Sequence, residues 1–208
     1  PTTGWIGRWL DGLGSRADLY TAATIGSSLP LHLVGAERRG TAVPVNGFGF
    51  GGDSEAYSRR FYDGIKAYSA TSGGRGQWHD AIAVAERSQI DLAQRLSPVF
   101  TPAITVSSLA EQLTVAARLI NADVGFRVLD TSLGSFDHHS GEPWEHGQRT
   151  QQLNDGLRAF FDTLSPSFAG RVTLMTWSEF GRTPWSNDSQ GTDHGTAAAH
   201  FVIGANVK

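Results

Sequence analysis

Apolar residues recur at helical spacing in several stretches of the chain, with short extended runs between them. Residues 4–13 place Trp5, Ile6, Trp9, Leu10 and Leu13 on one helical face. Residues 19–26 and 29–34 predict two short strands parted by Ser27-Ser28, and the glycine-rich stretch 40–53 predicts a loop. A helix around Phe61, Ile65 and Tyr68 within 54–69 stops at Ser72-Gly73-Gly74-Arg75-Gly76. A longer helix over 77–96 follows, with Trp78, Ile82, Ala85, Leu92 and Leu96 inward and Ser97-Pro98 ending it. The cleanest amphipathic helix covers 107–121, with Leu109, Leu113, Ala116 and Ile120 on one side and Glu111 and Arg118 opposite. Beyond it the pattern alternates: strand 126–131, helix 148–164 (Leu153, Leu157, Phe160, Phe161, Leu164), strand 172–177 and strand 201–203. Helix alternating with strand predicts parallel pairing through crossover helices. The expected fold is a single α/β domain over 1–208, with a mostly parallel sheet and helices on both faces.

Composition narrows the class. The chain has 208 residues, a net charge of -3 and 18% charged residues. That is neither a nucleic-acid footprint nor an acidic tail. Without cysteine there is no disulfide, no thiolate metal site and no Cys nucleophile. No apolar run approaches the roughly 20 residues that span a bilayer. The sequence opens on Pro1 with no signal peptide and stops at Lys208 just after a strand, so it reads as an internal piece of a longer protein.

Carboxylates and histidines gather where two of the strands stop. Strand 126–131 runs into Phe136-Asp137-His138-His139, and strand 172–177 into Ser178-Glu179. Buried strands carry charge poorly, so an acid placed at the end of one faces a cleft. Ligands of open α/β sheets bind beyond the carboxyl ends of the strands, so parallel strands would put Asp137, His139 and Glu179 on one edge. Asp193-His194 joins them if the last strand is antiparallel or the loop 180–199 folds back. Such a mixed Asp, Glu and His set suits one or two divalent ions, Zn, Mn or Mg, whereas Ca wants more oxygen. Plainer readings stand beside this one. Single histidines cap loops, Asp193 could cap a helix over 194–200, and Glu179 could pair with Arg182 in a structural salt bridge. Gly47–Gly52 reads as a flexible loop rather than a phosphate cradle, because no helix and no Lys-Ser/Thr follow. Arg38-Arg39 reads as a solvated turn, and His79 and Glu86 carry little weight as ligands. Ser178 lacks the strained elbow of a nucleophile. Trp5, Trp9, Trp78, Trp144 and Trp185 could line a carbohydrate surface, but most are expected in the core.

LAEQLTVAARLI, FRVLDTSLGSFDHHSGE, QLNDGLRAFFDTL, VTLMTWSEFGRTPWSN and GTDHG together resemble a large family of exported bacterial proteins carried as a domain of unknown function. Its hallmarks are G-F/W-D-T-H, S/G-E-F-G-R-T and G-x-D-H, and it is grouped with the alkaline-phosphatase/sulfatase-like fold. GWIGRWLDGLG is similar to its G-W-L-G-R-W/Y-L-D segment. The resemblance implies that Asp137, His139, Glu179, Asp193 and His194 are metal ligands. It implies that Arg182 contacts an anionic ester substrate or braces Glu179. His138 stands where the family has Thr, and Glu179 where phosphatase-like enzymes often carry an Asp-His pair. The family's R-G-G-x-D-G stretch and first strand have no counterpart here, which predicts a catalytically incomplete portion lacking a C-terminal segment as well. The expected function is a metal-dependent hydrolase of phosphate or sulfate esters, periplasmic or extracellular. The alternative is a non-enzymatic exported binding or assembly protein that keeps the fold, with or without a structural metal.

Overall fold

The computed structural model describes residues 2–47, 56–70, 76–104 and 107–208. The chain forms two compact units, Pro1–Ser107 with Val124–Asp130, and Ser108–Asp123 with Thr131–Lys208. It is a mixed α/β protein with a three-stranded parallel sheet.

The first unit holds α1 (Trp5–Leu13), β1 (Ala22–Ile25), β2 (Thr41–Val43), α2 (Ala56–Ala70), α3 (Gln77–Leu96) and β3 (Val128–Asp130). The sheet order is β2-β1-β3, with Ala23 opposite both Thr41 and Leu129. All four residues of the central β1 are buried, as two-sided coverage of a parallel strand requires. Ile6 and Leu10 of α1 pack with Ala17, Ala22 and Leu33. The approach is close: a Cβ on Gly4 or Gly7 would run into the backbone of His32 or Val34. Asp11 fastens the other end of this contact, accepting from the backbone N–H groups of Ala36, Glu37 and Arg38 at 2.8, 3.0 and 2.7 Å.

Several expectations are corrected here. Residues 31–33 form a 3₁₀ turn rather than a strand. Pro30 can donate to no ladder, and its carbonyl instead accepts from Leu33 N at 3.0 Å. The expected loop 40–53 contains β2, its residues 48–53 lie outside the described residues, and so do 72–75 of the predicted helix stop. Helix α3 has the predicted bounds, but Trp78 and Ile82 are exposed, as is Ala85, and the buried positions are Ala83, Ile90, Leu92, Ala93 and Leu96. Trp5, Trp9, Trp78, Trp144 and Trp185 are all exposed rather than in the core. In α1 the reason is angular: neighbours on a helix diverge by about 100°. Ile6 and Leu10 take the packed stripe, and Trp5 and Trp9 flank it.

The second unit holds α4 (Leu109–Asn121), α5 (Glu142–Thr163), α6 (Pro166–Ala169), β4 (Thr173–Met175), β5 (Gly181–Arg182), β6 (His194–Gly195) and β7 (Val202–Gly204). Ser108 begins α4 with a reciprocal capping box: its hydroxyl accepts from Glu111 N, and its own N–H donates to the Glu111 carboxylate. Helix α5 starts at Glu142, earlier than predicted, with Pro143 in its first turn. Its Gly156 lies against α4, where a Cβ would come within 2.9 Å of Leu109 Cγ. Asn121 ties the far ends together, donating to Thr163 O at 2.9 Å and accepting from Ser165 N at 2.8 Å.

Strands 126–131 and 172–177 are not the parallel pair that alternation suggested. β3 pairs with β1 in the first unit, and β4 pairs antiparallel with β7, Leu174 opposite Ile203. Parallel neighbours need a crossover element. The connection from β4 to β7 contains no helix, only the two-residue ribbon β5–β6. Asp193 accordingly caps no helix. Among the described residues no helix is long and apolar enough to cross a membrane.

Candidate metal centre

Three segments of the second unit build the site: residues 136–140 before α5, the β5–β6 ribbon, and the turn 185–193 that closes it. The ribbon is narrow because both paired glycines allow it. A Cβ on Gly181 would sit 2.7 Å from Thr196 C, and one on Gly195 would sit 2.7 Å from Arg182 C. Register places Arg182 opposite His194. Thr192 N donates to His138 O at 3.1 Å, which lays the 136–140 segment along the ribbon.

Arg182 joins all three segments. Its Nε donates to Thr192 Oγ1 at 2.9 Å and its Nη2 to His138 O at 2.7 Å and to Thr192 O, while Nη1 donates to Asp137 Oδ1. The guanidinium is mostly buried. It pairs with Asp137, and among the described residues the Glu179–Arg182 salt bridge offered as a plainer reading does not form. Its donors go to the protein itself, so it braces Asp137 and the backbone carbonyls of His138 and Thr192.

Asp137 Oδ1 lies 3.0 Å from His139 Nε2 and 2.9 Å from His194 Nε2. Asp137, His139 and His194 offer donor atoms that all lie within 4.8 Å of one another, the one group of three such residues among those described. Each of the three side chains is about half exposed, at 49, 50 and 56%. The imidazoles are held as plates. His194 stacks on Phe180 with centroids 4.5 Å apart, and on His139 at 5.2 Å. The other nitrogen of His139, Nδ1, lies 3.0 Å from Asp193 Oδ1. Bonds from His194 and Arg182 hold the Asp137 carboxyl below its ordinary range, against a smaller opposing effect of desolvation. Bonds from His139 and Asn187 do the same for Asp193.

Of the residues singled out in the sequence, Asp137, His139 and His194 therefore meet directly. Asp193 enters through His139 and Arg182 through Asp137. Glu179 is exposed and stands outside the group. His138 turns away: it is buried beside Phe136 and His146, and neither ring nitrogen has a hydrogen-bond partner among the described residues. The sequence reading missed Asn187 and Phe180. Both lie inside the quoted motifs, but an amide and a phenyl ring announce no chemistry until their neighbours are known.

A family model described as a protein of unknown function (DUF1501) matches residues 76–208. The matched span takes in every residue of the cluster. No curated protein and no solved structure matches the chain.

Proposed function

The chain belongs to the DUF1501 family, whose description assigns no activity, and we propose that it is a metal-dependent hydrolase of phosphate or sulfate esters in which Asp137, His139 and His194 hold a divalent ion. One observation carries this reading: a carboxylate oxygen and two imidazole nitrogens, each able to ligate a cation, converge with all three atoms within 4.8 Å of one another. His139 places Nδ1 3.0 Å from Asp193 Oδ1 and Nε2 3.0 Å from Asp137 Oδ1; with an ion at Nε2, Nδ1 would donate to Asp193. His194 Nε2 closes on the same oxygen at 2.9 Å. Acceptors at that separation repel unless a proton or a cation lies among them.

The donor set fits a borderline cation. Two imidazoles and one carboxylate suit zinc or manganese, and the set is too poor in oxygen for calcium. Three protein ligands with half-exposed side chains match a catalytic site, which keeps positions open, rather than a closed structural one. Held by Asp137, His139 and His194, a divalent ion would supply Lewis acidity for activating water and polarising an ester oxygen. The protein's own groups do the rest. Asp193 fixes the plane of His139, Phe180 fixes the plane of His194, and Arg182 holds Asp137 in place. The ester class and a periplasmic or extracellular location rest on the motif resemblance to the alkaline-phosphatase/sulfatase-like fold, which is support by analogy.

A second reading draws on a different observation. Arg182 already donates to Asp137 Oδ1, so the carboxylate has a cation without any metal. That arrangement would serve a non-enzymatic exported binding or assembly protein. Metal analysis separates the two. Protein purified without chelator or His tag should carry about one equivalent of zinc or manganese. Asp137→Asn and His194→Ala should each lose the metal and any hydrolysis of aryl phosphate or sulfate. Absence of metal, with a melting temperature unmoved by added Zn, Mn or Mg, would overturn the hydrolase and favour the second reading.

A further inference from the structure

We propose that His138 and His146 form a second metal site, separate from the divalent cluster, that takes a soft monovalent cation, Cu(I), between two imidazoles. Residues 136–139 sort their side chains onto two sides. Asp137 and His139 meet His194, whereas Phe136 and His138 meet His146 on α5. Alternate residues of an extended segment diverge in this way.

His138 is the residue that calls for a ligand. It is only 8% exposed, and its Nδ1 and Nε2 are both buried with no hydrogen-bond partner among the described residues. Buried polar atoms ordinarily find a partner in protein, water or an ion, and one left without costs free energy. The backbone of His138 is pinned, since its carbonyl accepts from Thr192 N at 3.1 Å and from Arg182 Nη2 at 2.7 Å. His146 is exposed, in the second turn of α5. The start of that helix is tied down by Gly141 N donating to Ser189 O at 3.2 Å and Glu142 N to Gln190 O at 2.9 Å. Both imidazoles thus hang from anchored backbone.

The spacing of the rings selects the ion. Their centroids lie 6.4 Å apart with the planes at 79°. A metal–imidazole bond of about 2.0–2.1 Å, with each nitrogen about 1.1–1.2 Å from its ring centroid, sets two imidazoles roughly 6.4 Å apart across one ion when the three are in line. A tetrahedral angle would bring them to roughly 5.3 Å. In-line ligation leaves the twist between the rings free. Phe136 closes the third side, with centroids 6.5 Å from His138 and 6.0 Å from His146, and offers no donor atom. Among the described residues the pair belongs to no group of three His, Asp or Glu donors. Zinc wants four ligands, and magnesium and calcium want oxygen. Two neutral nitrogens in line suit Cu(I), a soft ion satisfied by two donors. Glu142, one turn before His146, and Arg149, close to one turn after it, carry opposite charges, so the two metal–nitrogen bonds carry the affinity. Bound there, the ion would clamp residues 136–139 to α5 from the side opposite the divalent cluster.

Anaerobic titration of Cu(I) against a chromophoric Cu(I) chelator tests the site, with Ag(I) as a redox-inert probe. Wild type and His194→Ala, which disables the divalent cluster, are both expected to take up Cu(I) with the near-edge X-ray absorption signature of linear two-coordinate copper. His146→Ala and His146→Asn change an exposed position that the fold can spare. Each should weaken Cu(I) binding more than about 100-fold, beyond what the loss of an orienting partner alone causes, while any zinc binding stays as in wild type. Wild type that cannot compete for Cu(I), a three- or four-coordinate signature, or affinity that survives in both His146 variants each overturns the proposal. Cu(I) lost in His194→Ala but kept in His146→Ala would return the ion to the divalent cluster and overturn it likewise. Absence of zinc from the divalent cluster leaves this outcome untouched, because the Cu(I) readout does not depend on that site.

Discussion

Asp11 in the first unit and Asp137 in the second are both carboxylates held below their ordinary range, yet by opposite kinds of partner. Asp11 is lowered chiefly by the backbone N–H of Ala36, with those of Arg38 and Glu37. Asp137 is lowered chiefly by His194 and further by Arg182, both through side chains. Backbone donors cannot be exchanged for another cation without unfolding the loop, so Asp11 serves as a structural pin. Imidazoles can give up a proton and keep a lone pair, so the partners of Asp137 can become fellow ligands. The surroundings differ in the same sense. The first unit builds outward from a strand buried along its length, whereas β4 in the second unit exposes Thr173 and Met175. A depressed carboxylate becomes a candidate for chemistry through the exchangeability of its donors, and the depression alone does not make it one.

The contrast in packing breaks most sharply in the core. Leu10→Ala, at a position only 1% exposed, is expected to lose about 2–5 kcal/mol, transfer and cavity terms together. Met175→Ala on β4 should cost within about 0.5 kcal/mol, as a surface change does. Urea titrations compare the two, and equal losses would refute the packing contrast. Next come the glycines beneath the two carboxylate sites. A Cβ on Gly35 would meet Asp11 Oδ1 at 2.5 Å, and one on Gly191 would collide with the backbone of His139. Each change to Ala is expected to cost about 1–3 kcal/mol, but only Gly191→Ala should abolish zinc binding. Zinc binding lost in Gly35→Ala instead would mean that the pin and the ligand are not separable roles. Ser108→Ala removes the cap of α4 at about 1 kcal/mol, with zinc affinity unmoved as the control.

The smallest effect is on acid stability. Both carboxyls are lowered in the folded state, so each contributes stability in full above the unfolded value of about 3.9. Each contribution is lost as the pH falls below that value and through the folded one. Melting temperatures between pH 5 and 2 should decline less steeply in Asp11→Asn and in Asp137→Asn than in the wild type. Saturating zinc should push the Asp137 contribution to lower pH and leave that of Asp11 in place. A zinc-induced change that persists in Asp137→Asn would contradict the assignment of the ligand.

Much of the framework was legible along the chain. Helices α3 and α4 lie where apolar spacing put them, because helix signals are local. The α/β class followed from the same patterning. Strand pairing did not: parallel or antiparallel is settled by what connects the strands, and the connection 176–201 forms a ribbon and turn whose hydrogen bonds join residues far apart in sequence. The candidate site divides in the same way. Its residue types, Asp137, His139, Asp193 and His194, were readable because carboxylates and imidazoles are scarce enough to stand out where they cluster. Their roles were not readable, because a role depends on which atom meets which. Only the fold turned Arg182 toward Asp137 and away from Glu179, put Asp193 behind His139, and made Asn187 the amide that joins them. Composition and periodicity act over a few residues and fix the elements. A site depends on the meeting of atoms more than forty residues apart, as between Asp137 and Arg182, with a separation of 45, and only tertiary structure supplies that.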